Sequence, residues 1–174
     1  MSISLYDASI PGYVRALKNL SHFLDMAETY AAEEKLPLST FLDASLGHGM
    51  AAFPRQIQMA SDAAKSGAAR LSGQEPPSMP DIETTFPELK ERIAKTIAAI
   101  EGIKREDVDG HEEREVVLKF PNRTMTFTAK EFLLTFSQPN FLFHVTVAYG
   151  LLRAQGVPLG KMNYLAGAQM AASA

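Results

Sequence analysis

Four segments of this sequence carry apolar residues at steps of three and four, and this spacing constrains the fold more than any other feature. In the first segment the stripe consists of Ile10, Val14, Leu17, Leu20, Leu24, Ala27 and Ala31. Such a stripe places the apolar side chains on one face of an α-helix, which must then pack against another apolar surface. Four helices of this kind bury their stripes most simply as an antiparallel four-helix bundle, a mainly α fold.

Proline and glycine mark the ends of the first two predicted helices. Pro11 suits the first turn of a helix over Ser9–Glu34, because proline is tolerated where the backbone amide has no partner. The second helix is predicted over Ala51–Leu71, and Gly73 is placed to end it with a positive φ. The stretch 74–84 is rich in proline and has no period, which predicts an extended surface loop.

A capping box predicts where the third helix begins. Thr85 and Glu88 have the spacing with which a hydroxyl and a carboxylate satisfy the free amides of a first turn. Along this helix Glu88 and Arg92 are four residues apart, as are Glu91 and Lys95. Oppositely charged residues at this spacing are typical of a solvent-exposed helix face, and we expect both pairs there.

The period changes from helical to alternating before the last long helix. Apolar and polar residues alternate at 116–120 and 124–128, on either side of the short connection Pro121-Asn122-Arg123. This pattern predicts a β-hairpin. A second capping box, Thr128 to Glu131, then begins the last long helix, which Pro139 is expected to kink.

Length, charge and cysteine content limit the classes of function. At 174 residues and 19.0 kDa the chain suits one domain, which we assign to 1–165, with an alanine-rich flexible tail at 166–174. A net charge of -3 predicts no nucleic-acid partner, and no apolar run is long enough to predict a membrane span. The absence of cysteine excludes thiol catalysis and cysteine-bound metals. The N-terminus lacks the pattern of a secretory signal, so we expect a cytoplasmic protein.

Two of the four histidines are candidates for a functional site. His48 lies between Gly47 and Gly49, where tight turns could expose the ring to a cleft. His144 lies among Phe141, Phe143 and Val145 on the last helix, where a polar ring needs a hydrogen-bond partner. The alternative is a packing histidine satisfied by a carbonyl or a hydroxyl, which is commoner than a ligand-binding one.

Further polar candidates lie on the second and last helices. Gln56 is near the apolar side of the second helix, and Asp62 is free to pair with Arg70 or with an arginine elsewhere. On the last helix Tyr149 and Arg153 are four residues apart and share a face. At about 100° per residue, that face points away from His144, so one pocket is not expected to take both groups.

The sequence at 139–165, Pro-Asn-Phe-Leu-Phe-His-Val-Thr-Val-Ala-Tyr-Gly and onward, resembles a domain-of-unknown-function family of the DinB/YfiT-like metalloenzyme superfamily. The likeness extends upstream through Gln56, Asp62, Arg70–Gly73 and Phe86–Leu89, and so covers most of the chain. It implies a four-helix bundle that is often a homodimer.

The resemblance also implies a metal site, which this sequence matches incompletely. Better-known members resemble metal-dependent transferases or hydrolases with three histidine ligands, one from the second helix and two, four residues apart, from the last. His144 resembles the first of the last pair, but Ala148 stands where its partner is expected. His48 or Asp62 would have to replace the ligand from the second helix. A divalent metal, zinc or nickel, is therefore an alternative cofactor.

Three hypotheses of function follow from these residues. We prefer a binding module without a metal, in which a cleft bordered by His48, Gln56, Asp62 and His144 accepts a small molecule. The second hypothesis is a metal-dependent transferase or hydrolase that uses His144, His48 and Asp62. The third is a dimeric interaction protein with Tyr149 and Arg153 at its interface.

Overall fold

The computed structural model describes residues 3–173, and the predicted bundle with its hairpin is confirmed. Met1, Ser2 and Ala174, which belong to the predicted domain and tail, lie outside the described residues. The helices are α1 (Leu5–Glu34), α2 (Ser39–Leu42), α3 (Phe53–Leu71), α4 (Phe86–Glu101), α5 (Ala129–Glu131), α6 (Gln138–Ala154) and α7 (Lys161–Ala171). A 3₁₀ turn covers Arg105–Asp107, and the two strands are β1 (Glu115–Phe120) and β2 (Arg123–Thr128).

The core lies between α1, α3, α4 and α6, where the four predicted stripes meet. Leu17, Phe23 and Ile57 are each fully buried there, and α3 packs most extensively against α6. Burial of aliphatic and aromatic side chains is the main stabilising contribution to such an interior. None of the helices within residues 3–173 is long and apolar enough to cross a membrane.

The first helix begins earlier than predicted, and this corrects the placement of Pro11. Ser4 caps the helix by accepting a hydrogen bond from the Asp7 amide at 3.2 Å, so the first helical residue is Leu5. Pro11 therefore lies in the second turn, where its missing amide leaves the carbonyl of Asp7 without the usual helical bond. The helix ends as expected after Glu34, with Lys35 at a φ of 56°.

Of the two charge pairs predicted on the exposed side of α4, one is confirmed and the other is wrong. Glu91 and Lys95 form the expected exposed ion pair, at 2.7 Å. Arg92 is not on the solvent face with Glu88, because its side chain turns into the protein and is only 2% exposed. The Glu88 carboxylate instead caps the helix, accepting the Thr85 amide at 2.9 Å.

The hairpin and the last long helix are joined by a π-helical turn. In β1 the side chains of Val116 and Leu118 are buried, and β1 pairs with β2 in an antiparallel register that places Leu118 opposite Met125. The capping box at Thr128 begins α5, and Phe132–Ser137 then forms a π-helical segment before α6. Pro139 lies in the first turn of α6. The interruption that we expected at this proline is therefore the π-helical segment just before it, in which the turn is wider than in an α-helix.

The last helix within residues 3–173 packs on α1. This helix, α7, includes residues 166–171 of the segment expected to be a flexible tail, with a non-helical φ of -151° at Ala166. The buried side chain of Asn19 holds both sides of this kink, because it donates to the Tyr164 carbonyl at 2.8 Å and accepts the Ala168 amide at 3.1 Å. These two bonds satisfy backbone groups that the kink frees.

Candidate functional site

A cavity of about 380 Å³ lies between α3 and α6, where the hairpin and the π-helical segment close its sides. We call it the α3–α6 cavity. It is lined by Met59, Asp62, Ala63, Ser66, Gly67, Arg70, Leu118, Lys119, Phe120, Phe132, Phe136, Ser137, Asn140 and His144. Two of the predicted candidates, Asp62 and His144, are therefore brought together on one cavity.

The His144 ring is held in one orientation by Gln56, which is itself 1% exposed. The Gln56 amide nitrogen donates to the Ala51 carbonyl at 3.0 Å. The Gln56 amide oxygen therefore faces Nδ1 of His144, at a distance of 2.9 Å. Because an amide oxygen only accepts, Nδ1 is assigned as the protonated nitrogen. Nε2 then carries the lone pair and is the ring nitrogen available to the cavity.

Two effects favour the neutral form of this ring. Burial lowers the pKa of His144 below its ordinary value, and the positive charge of Arg55 lowers the pKa further. A neutral imidazole with a protonated Nδ1 is a hydrogen-bond acceptor at Nε2. His144 can therefore accept a proton or a hydrogen bond from a molecule in the cavity.

The π-helical segment positions the cavity wall opposite α3. Ser137 is 3% exposed, and its hydroxyl lies 2.8 Å from the hydroxyl of Tyr13, whose pKa burial raises to about 12. Both hydroxyls pack against Gly67, where an added Cβ would lie 2.9 Å from the Tyr13 oxygen and would also collide with Ser137. Because glycine has no Cβ, the π-helical segment can approach α3 this closely. Two aromatic side chains of the segment, Phe132 and Phe136, stack with their ring centres 6.0 Å apart.

Asp62 belongs both to the cavity and to an ion cluster behind it. Its Oδ1 accepts Nη2 of Arg92 and Nζ of Lys65, each at 2.7 Å. Arg92 also pairs with Asp81 at 2.9 Å and with Glu83 at 3.1 Å, and both carboxylates lie in the proline-rich loop. The pair that sequence left open for Asp62 is thus made with Arg92 and not with Arg70.

We call this group the Arg92 cluster, and its charges balance. Its members are the carboxylates Asp62, Asp81 and Glu83 and the cations Arg55, Lys65 and Arg92, with Arg55 pairing to Asp81. Burial raises the pKa of Asp81, but hydrogen bonds and charges of Arg55 and Arg92 outweigh that effect and lower it overall. The cluster fixes the 74–84 loop over α3 and α4.

The sequence did not predict that Arg92 is buried, because its spacing fits both the inner and the exposed face of α4. The residue is four before Thr96 and eight before Ile100, both buried, so it continues the inner face of the helix. The same residue is also four after Glu88, and the opposite charges favoured the exposed reading. The position of Arg92 relative to Thr96 and Ile100 was the signal that could have identified it.

Arg70, at the other end of the cavity, lacks a comparable set of partners. Its guanidinium donates to the carbonyl and hydroxyl oxygens of Ser66, one turn earlier on α3. In the described range 3–173 no carboxylate forms an ion pair with it. Burial lowers the pKa of Arg70, and the charge of Glu75 offsets part of that effect.

The remaining candidates lie away from this cavity. His48 is in an exposed loop, at a positive φ of 50°, and does not line the cavity. Tyr149 packs against Phe23 and Tyr164, each with ring centres 5.7 Å apart. Arg153 donates to the Leu159 carbonyl at 2.6 Å and so fixes the turn before α7. Both of the latter side chains are used within the chain, and the homodimer stays a prediction.

Comparison with known proteins agrees with this fold. The model of the DUF1993 family, a domain of unknown function, matches residues 5–165. The chain belongs to the DUF1993 family. A crystal structure of a DinB family member from Shewanella denitrificans is 36% identical, with a TM-score of 0.85 over 92% of this chain and 91% of that one. No curated protein matches the chain.

This DUF1993 chain does not present the donor set that a divalent metal of the DinB/YfiT type would need. Within residues 3–173 no three histidine or carboxylate side chains are grouped so as to hold a metal ion. His144 has Ala148 one turn later, His48 is in a separate loop, and Asp62 is already bonded to two cations. The residues present therefore do not fit a three-ligand metal, and its chemistry is not used below.

Proposed function

We propose that this DUF1993 protein binds a small organic molecule in the α3–α6 cavity, without a metal. The observation that carries the proposal is the arrangement of His144. Its ring lines the cavity, Gln56 fixes its orientation, and its electrostatic surroundings favour the neutral form. Holding a half-buried histidine in this way leaves Nε2 as a preorganised acceptor for a ligand.

The size and lining of the cavity support the same proposal. Ligand sites commonly have volumes of about 300 to 1,000 Å³ and combine apolar walls with a few convergent polar groups. Here the volume is about 380 Å³, with aromatic side chains of Phe120, Phe132 and Phe136 on one wall. Ser66 and Asn140 add polar groups on opposite helices. The aromatic wall supplies affinity through burial, and the polar groups supply orientation.

Fragment binding followed by NMR tests the proposal. A library of neutral and charged fragments is added to ¹⁵N-labelled protein, and we expect amide shifts at 59–70, 118–120 and 132–144, the segments that line the cavity. The Ala63→Met variant places a longer side chain into the cavity from α3 and should abolish these shifts. Ala98→Met adds the same atoms to an exposed position of α4 and should leave them unchanged.

The same experiment with these two variants also defines the results that would contradict the proposal. If no fragment shifts the cavity segments, or if Ala63→Met binds fragments as well as the wild type does, the cavity is not a ligand site. Circular dichroism of both variants checks that the added methionine has not unfolded the bundle.

A further inference from the structure

We infer that the ligand of the α3–α6 cavity is a small apolar carboxylate, bound through Arg70 at one end, with a hydrogen-bond donor at the His144 end. This inference rests on the proposed function and adds the chemical class of the ligand. It rests on three observations, which are the charged side chains on α3, the distance between them and the apolar surface that separates them.

The charge left over at the cavity is positive. Asp62 is the one carboxylate among the lining residues, and the cations of the Arg92 cluster already balance it. Arg70 and Lys119 line the same cavity, and neither forms an ion pair within the described residues. Glu75 affects Arg70 electrostatically but is not within ion-pair distance. A cavity with two free cations and one neutralised carboxylate favours an anion.

Arg70 is the better of the two cations for this role. Lys119 lies on an exposed part of β1, where its ammonium group is hydrated. Arg70 is half-buried, and its partial desolvation disfavours the charge unless an anion approaches. Nη1 of the guanidinium donates to both the carbonyl and the hydroxyl of Ser66, and this contact at one nitrogen preorganises the rest of the group. A planar guanidinium binds a carboxylate through two parallel hydrogen bonds.

The two ends of the cavity set the length of the ligand. The Arg70 guanidinium reaches back to Ser66, which is four residues after Asp62 on α3, so the two ends are separated by a rise of about 6 Å along the helix axis. Between them the lining is mainly apolar, with Leu118, Phe132 and Phe136 facing the helix. At the first end, Nε2 of His144 and the second oxygen of Asp62 are acceptors, so the ligand needs a donor there. An apolar body about one helical turn long, such as one aromatic ring with a short chain, then joins this donor to the carboxylate.

A phosphate fits this lining less well than a carboxylate does. A phosphate dianion needs several donors to replace its water, and it is typically held by a helix N-terminus or by several cations. Arg70 lies in the last turn of α3, near the negative end of the helix dipole. One arginine beside an apolar wall suits a monoanion with an apolar body.

Matched probes test the ligand class. We would titrate wild-type protein with 3-(4-hydroxyphenyl)propanoate, its primary amide and 3-phenylpropanoate, and follow the cavity amides by NMR. The hydroxylated acid should bind best, and both the amide and the acid without the hydroxyl should bind more weakly. Arg70→Gln should weaken the acid about ten- to a hundredfold, the range for a hydrogen bond to a charged group, and leave the amide unchanged. Arg15→Gln removes the same charge from an exposed site on α1 and should change neither.

The outcomes separate this inference from the proposed function. Equal binding of acid and amide, or an equal effect of Arg70→Gln and Arg15→Gln, would overturn the carboxylate class while the cavity remains a ligand site. Failure of all three probes, when neutral or cationic fragments still shift the cavity amides, would also overturn the class alone. If no probe and no fragment shifts the cavity amides, both the carboxylate class and the proposed ligand site are overturned.

Discussion

Two arginines near α3 differ in almost every respect, and the difference separates an arginine that the fold uses from one that we propose binds a ligand. Arg92 is 2% exposed, pairs with three carboxylates and donates to the Pro80 carbonyl at 2.9 Å. Arg70 is half-buried beside an open cavity and makes no ion pair within 3–173. A buried charge that pairs with several carboxylates is held in one conformation, even though Nε of Arg92 is buried without a hydrogen-bond partner among the described residues. A partly desolvated charge without such pairs is poised to bind something else.

The largest effect should come from removing the charge of Arg92. Arg92→Met leaves three carboxylates around one apolar side chain, and breaking a buried ion pair typically costs about 3 to 5 kcal/mol. Because Asp62 and Asp81 are about one-third exposed, we expect a loss near the lower limit, about 3 kcal/mol of unfolding free energy. Urea denaturation measures it, with Lys95→Met on the exposed face of the same helix as the control. Equal losses in the two variants would contradict a structural role for Arg92.

A smaller loss is expected where α3 meets the π-helical segment. Gly67→Ala places a methyl group against the hydroxyls of Ser137 and Tyr13, and such overpacking typically costs about 1 to 3 kcal/mol. Gly150→Ala is the matched control, because a Cβ there meets nothing within 4 Å. In a helix interior that control should stabilise the protein by up to about 1 kcal/mol. Thermal denaturation of both variants distinguishes them, and a stable Gly67→Ala protein would refute the close contact.

Arg70→Gln should hardly change stability, which sharpens the contrast with Arg92. A partly exposed residue without an ion pair typically changes the free energy of unfolding by less than about 0.5 kcal/mol. Burial lowers the pKa of Arg70, so its charge is not favoured by the fold itself. Urea denaturation at pH 7 is the measurement. A loss comparable to that of Arg92→Met would mean that Arg70 is a structural residue.

The smallest effect concerns protonation of His144. Since burial and then Arg55 lower its pKa in the folded state, the ring should titrate below 6.5, the ordinary histidine value. The unfolded chain binds this proton more readily, so the stability from the neutral ring is complete above 6.5 and is lost as the pH falls toward the folded pKa. NMR titration of the ring should give that lower midpoint, and Arg55→Gln should raise it. A midpoint above 6.5 would contradict the neutral assignment.

The sequence predicted the bundle and the hairpin because both depend on period and on local capping. The boxes at Thr85 and Thr128 form with the expected residues, and Gly73 has a φ of 73°. The sequence also predicted that His48, Gln56, Asp62 and His144 border one cleft. Of these, Asp62 and His144 line the α3–α6 cavity and Gln56 contacts His144.

What the sequence did not predict depends on contacts between distant or irregular segments. Two of the three carboxylates that pair with Arg92, Asp81 and Glu83, come from the loop that has no period, so no spacing could reveal them. The π-helical turn that places Phe136 and Ser137 on the cavity has no sequence pattern that we could distinguish from a kink at Pro139. Gly47 and Gly49 do have positive φ, as a tight turn requires, but that turn leaves His48 exposed and away from the cavity.

The state of the His144 ring during binding tests the central claim most directly. A long-range ¹H–¹⁵N spectrum of the imidazole at pH 7 reports which nitrogen carries the proton. We predict a protonated Nδ1 and an unprotonated Nε2, and we predict that Nε2 shifts when a cavity-binding fragment is added. A proton on Nε2 in the free protein, or an Nε2 signal that does not respond to a bound fragment, would contradict the account.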